Sequence, residues 1–170
     1  MEKKIIYFVS LFVLIAILLI TGCVQKIPQE QSTGQTPSTT SQQLIIKTGT
    51  SFGMCAGYCK EEITITSKKI VFHKSGWEED LYPEITEEVP ISNEQWTTLS
   101  GYVDFEKFNS LNDTIGCPDC ADGGAEWIEI DNGKSIKKVT FEYGVSIAEI
   151  DNLILELRKI RKDVSSLSKN

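Results

Sequence analysis

The first 42 residues of this chain divide into an apolar leader and a polar stretch with almost nothing to bury, so the globular domain is expected from residue 43 onward. Ile5 to Ile20 is an unbroken, weakly polar to apolar run with Ser10 as its only hydrophilic member. Residues 24–42 (VQKIPQEQSTGQTPSTTSQ) are rich in Gln, Ser, Thr and Pro. Such a stretch buries too little to offset its ordering entropy, so residues 23–42 are expected to act as a disordered polar tether. Residues 164–170 read as a polar tail. One domain, residues 43–163, is left. The apolar content of 41% overstates what that domain has to work with, because much of it lies before residue 21.

The start of the chain carries an address. Lys3 and Lys4 precede the apolar run, and Ile20-Thr21-Gly22-Cys23 ends it. A basic start, an apolar middle and small residues at the end make a secretory signal. The ending resembles the lipobox of bacterial and some archaeal lipoproteins. That resemblance implies a signal peptide over 1–22 and a diacylglyceryl group on the Cys23 thiol. The protein is then exported and lipid-anchored to the cell membrane, on the outer face of the cytoplasmic membrane or at the outer membrane. Its first partner is the membrane itself, through the N-terminal lipid. Stable anchoring takes more than one acyl chain, which a lipobox cysteine receives. The alternative is an uncleaved span, and the run falls short of the roughly 20 residues that spanning needs. The formal charge is −7, and loss of Lys3, Lys4 and Glu2 with the signal takes it to −8. An acidic surface does not neutralise phosphates, so nucleic acid is not an expected partner.

The domain reads as α+β: a small antiparallel sheet with two helices packed on one face. Leu44 to Ile46 begins a strand. Glu61 to Thr66 alternates, with Ile63 and Ile65 on one face. Ser67-Lys68-Lys69 turns into a second strand at Ile70 to Phe72, and Tyr82 to Val89 adds another, ended by Pro90. Ser92 and Gln95 make a capping box, with Ile91 stapling onto Trp96. Trp96, Leu99 and Val103 form an inward stripe, and Phe105, Phe108 and Leu111 continue the apolar spacing into a short second turn. Glu126 to Ile130 and Ile136 to Tyr143 are strands around Asn132-Gly133, a strong hairpin signal. A last helix is expected from a second capping box, Ser146 with Glu149. Its stripe is Ile147, Ile150, Leu153, Ile154, Leu157 and Ile160. Arg158, Lys159, Arg161 and Lys162 crowd its C-terminal end, where positive charge complements the helix dipole.

Chemistry resides in four cysteines: Cys55 and Cys59 in Cys-Ala-Gly-Tyr-Cys, and Cys117 and Cys120 in Cys-Pro-Asp-Cys. An even number in an exported domain points to disulfides. Local pairing closes small loops that Gly53, Gly57, Gly116 and Pro118 help to turn. Cross-pairing closes larger loops and stabilises more. Spacing alone leaves both open. Two sharper alternatives use the same residues. The four thiolates together fit a tetrahedral zinc site, against which an oxidising compartment argues. Cys117-x-x-Cys120 has redox spacing, but a strand rather than a helix comes after it, and Asp119 and Asp122 disfavour a thiolate.

The acids Glu78, Glu79, Asp80, Glu84, Glu87 and Glu88 read as solvated loop charge. So do Asp113, Asp119, Asp122 and Glu126, whose spacing does not fit a calcium loop. His73 is the only histidine and has no evident catalytic partner. No nucleophile elbow or phosphate-binding glycine loop is present.

The run Thr48 to Cys59, together with Asp122-Gly-Gly-Ala-Glu-Trp127, resembles a family of exported proteins and envelope lipoproteins. Its domain has no assigned activity. It has a Cys-x-Gly-x-Cys turn after the first strand. The resemblance covers most of residues 44–162 and implies a fold and an address, but no reaction. Many members carry only the first cysteine pair, which implies local pairing of Cys55 with Cys59. The expected function is therefore a disulfide-stapled, non-enzymatic binding module with no cofactor, its partner a protein or small molecule of the envelope. The alternative is a cysteine-based zinc or thiol-redox protein.

Overall fold

The computed structural model describes residues 43–167. The expected signal peptide, Cys23, the tether and residues 168–170 lie outside them. Within them a seven-stranded sheet runs β1 (Ile45–Ser51), β2 (Tyr58–Ile65), β3 (Lys69–Gly76), β4 (Ile85–Pro90), β5 (Thr114–Ile115), β6 (Ala125–Asp131) and β7 (Ile136–Glu142). Its spatial order is β4-β3-β2-β1-β6-β7-β5. Three helices complete it: α1 (Asn93–Gly101), α2 (Phe105–Asn109) and α3 (Asp151–Leu167). The α+β class is as expected. The sheet is larger than expected, and it is mixed, because β5 pairs parallel with β7. Two residues are too few for any periodicity to mark a strand, so β5 leaves no trace in the sequence pattern.

Local signals explain most of the elements. Ser92 caps α1 as a full capping box: its hydroxyl accepts from the Gln95 amide, and its own amide donates to the Gln95 side chain, both at 3.1 Å. This helix ends at Tyr102, and the expected short second turn forms as the separate helix α2, which Asp104 caps by accepting from the Lys107 amide. The second capping box does not form. The Ser146 hydroxyl bonds to Asp151 instead, and a short 3-10 turn at Ala148–Ile150 leads into α3. Every residue of the predicted stripe from Ile147 to Ile160 is nonetheless buried. α3 also runs past the expected domain end at 163, with Val164 in the core.

The core is one cluster. Ile46, Ile63, Ile65, Ile70, Phe72, Ile128, Ile130, Val139 and Phe141 of the sheet meet Leu99, Phe108 and the α3 stripe. Residues directly opposite on neighbouring strands share a face. The pairs Ile46 with Ile65 and Ile130, and Ile65 with Ile70, therefore form one apolar row across four strands. The next row toward the end of β1 is Phe72, Ile63, Thr48 and Ile128. The row after that is Lys74, Glu61, Thr50 and Glu126. The inward face thus grades from apolar, where the chain enters β1, to polar at the opposite end.

Candidate functional site

That polar end is where the chemistry gathers. Glu126 is 1% exposed. Arg158 of α3 clamps its carboxylate through Nε and Nη2, the closest contact being 2.7 Å. Arg161, about one helical turn further on, donates to the same carboxylate at 2.8 Å and to the Thr48 hydroxyl at 3.3 Å. The Thr48 hydroxyl in turn donates to the Trp127 carbonyl, and Arg158 also donates to the Val145 carbonyl. Burial by itself pushes the Glu126 carboxyl up; the two guanidinium groups outweigh it and hold the carboxyl below its ordinary value of 4.5. The expectation of solvated loop charge at Glu126 is corrected, as is the assignment of Arg158 and Arg161 to the helix dipole alone. The three form a charge cluster locking α3 to β1 and β6. The charges are legible in the sequence, but their pairing depends on which face of β6 Glu126 occupies.

The four cysteines lie beyond the same end of the sheet, as two local disulfides, Cys55–Cys59 and Cys117–Cys120, with Cα atoms 5.6 and 5.5 Å apart. The first closes the loop between β1 and β2; the second lies in the segment leading to β6. Asp119, read from the sequence as solvated, ties the two loops together. Its carboxylate accepts from the amides of Gly53 and Gly124, each at 3.2 Å. A Cβ on Gly53 would stand 2.6 Å from that carboxylate, so any larger residue there would push the Asp119 side chain aside. Glu142 holds the second loop from below by accepting from the Cys117 amide at 2.7 Å. Asp119, Ala121 and Asp122 all sit in the left-handed region, at φ 58°, 52° and 58°.

An aromatic collar surrounds the stapled loops. Phe52 and Tyr143 meet edge to face at 4.9 Å, as do Tyr58 and Tyr82 at 5.7 Å. The Trp77 indole donates to the Phe52 carbonyl, and the Lys60 ammonium lies 3.7 Å above its ring. Met54, Trp77 and Leu81 are exposed there, Met54 at 78%. No sequence pattern announces this collar, because its members come from separate strand ends and loops.

Several remaining candidates make contacts that tie neighbouring strands and loops together. His73 on β3 stands 3.2 Å from the Thr86 hydroxyl and 3.3 Å from Glu84. Lys69 pairs with Glu88, and Lys137 with Asp113. Among the described residues no three histidine, cysteine or carboxylate side chains gather as a metal centre would need, and no helix is long and apolar enough to cross a membrane.

Each disulfide contributes by restricting the unfolded chain, and loops this small give about 2 kcal/mol each. Cys55→Ser with Cys59→Ser should therefore lower stability by about 2 kcal/mol, read from urea midpoints at constant slope. An unchanged midpoint would show that the staple contributes nothing.

No family model and no curated protein matches the chain.

Proposed function

We propose that the protein is an envelope lipoprotein anchored through Cys23, and that its domain is a non-enzymatic binding module. Its working surface is the stapled pole: the two disulfide loops, the aromatic collar and the polar cluster beneath them. The observation that carries this reading is the convergence of both disulfides on one end of the sheet, with β1 leading there from the opposite end. Disulfides persist in oxidising compartments, which agrees with export. Rigid loops bearing exposed Met, Trp and Leu side chains suit recognition, since aromatic anchors carry much of the energy at interfaces. The same reading takes Cys55-Ala-Gly-Tyr-Cys59 as the Cys-x-Gly-x-Cys turn of a family of exported proteins. We further read the helices as one layer over the inward face of the sheet, supported by the clamp of α3 on Glu126 and by the shared core cluster.

Three experiments test this. A clickable fatty acid fed to cells should label the full chain, and Cys23→Ala should abolish the label. Alkylation of the exported protein should leave Cys55, Cys59, Cys117 and Cys120 unmodified until reduction. A photo-crosslinking residue at Met54 should then give a discrete adduct in cells that disappears when Cys55 and Cys59 are serine. Freely reacting thiols, or zinc in the native mass, would replace this reading with cysteine chemistry.

A further inference from the structure

Above the polar row lies a cavity of about 480 Å³, within the range of small-molecule sites. Its walls include Glu61, Tyr143, Arg158, Arg161, Lys162 and Ser165. In a chain of net charge −7, three cations on one cavity wall are not a sample of average surface. Glu126 and Glu61 balance two of them, which leaves one positive charge in excess. Donor capacity is also in excess. Arg158 commits Nε and Nη2 to Glu126 and Val145, which leaves Nη1; Arg161 commits Nη1 and Nη2, which leaves Nε. Lys162, the Ser165 hydroxyl and the Tyr143 hydroxyl have no partner among the described residues. Arg161 is only 7% exposed, so its remaining donor has little access to water elsewhere.

Excess donors and excess positive charge around a concave, half-open space together specify an acceptor-rich, negatively charged guest. We propose that this cavity binds the oxyanion group, carboxylate or phosphate, of a small soluble ligand. The inference rests on reading the domain as a binding module and names the ligand class. The Glu126 clamp presets both guanidinium groups, so little side-chain entropy is lost on binding. Lys162 and Ser165 close on the anion from the last turns of α3, and Tyr143 from the turn after β7. Glu61 sets an upper limit on the guest's charge by repelling a second anionic group.

The test is calorimetric titration of detergent-solubilised full-length protein with inorganic phosphate and with acetate, with chloride at matched ionic strength as control. Saturable binding of phosphate or acetate, absent with chloride, is expected. Lys162→Ala should weaken it about tenfold, the loss of one charge-assisted hydrogen bond. Ser165→Ala and Tyr143→Phe should weaken it several-fold, and Lys134→Ala in the distant hairpin should not change it. None of these side chains belongs to the clamp or the core, so the variants fold. Absence of saturable binding by both anions overturns the proposal, as does equal binding of chloride or an unchanged affinity in Lys162→Ala and Ser165→Ala. Crosslinking at Met54 reads the apolar pole independently, so loss of the anion site does not count against the wider binding reading.

Discussion

Glu126→Ala is expected to destabilise the domain by about 3–5 kcal/mol, because it leaves two guanidinium groups facing each other with no counter-charge. Arg161 is only 7% exposed, so water can compensate it only through the cavity it lines. Urea unfolding checks the size. Glu126→Gln keeps an acceptor but removes the charge, and should fall between Ala and the parent. The pH dependence has a definite sign. The folded-state pKa of Glu126 lies below the ordinary value of 4.5. Its stabilisation is therefore complete above that value and is lost as pH falls through the lower folded value. The gap between parent and Glu126→Gln should be widest at neutral pH and shrink below about pH 4. A gap independent of pH would mean that shape, not charge, holds α3 to the sheet.

Gly49→Ala is the second large effect, expected at about 3 kcal/mol. A Cβ there would stand 2.5 Å from the Glu61 carbonyl and 2.8 Å from the Trp127 ring. The ring has some freedom; the carbonyl belongs to the β1–β2 ladder and has none. Trp127 lies across this glycine on the outward face, with the Lys138 ammonium 4.0 Å above its ring. Combining Gly49→Ala with Trp127→Ala separates the two clashes. If the double variant recovers only part of the loss, the carbonyl is the dominant obstacle. Complete recovery would assign the whole cost to the indole.

Sequence reasoning succeeds where a side chain's role is set by its neighbours along the chain. Ser92 with Gln95, Asn132-Gly133 and the α3 stripe are local signals, and each marks an element that forms. It fails where meaning depends on register. Lys74 and Glu126 each stand in line with an apolar series on their own strand, Ile70-x-Phe72-x-Lys74 and Glu126-x-Ile128-x-Ile130, and Thr50 follows Ile46 and Thr48 in the same phase. The phase of that alternation is a usable signal for an inward glutamate. Without knowing that β6 lies beside β1, nothing joins these three into one row or places two arginines above it. Asp119 escapes notice for a similar reason. An acid beside a cysteine looks solvated until another loop, through Gly53, is brought to it.

The position of β1 has a mechanical consequence. It is central, hydrogen-bonded along its length to β2 on one side and β6 on the other, and it runs from the point where the chain enters the domain to the stapled pole. Tension between that point and a partner held at the pole acts along the strand axis, perpendicular to the ladder hydrogen bonds. The rungs on both sides are then sheared together instead of being unzipped one after another. A domain threaded in this way resists a steady pull on its leading end far better than one whose first strand lies at a sheet edge.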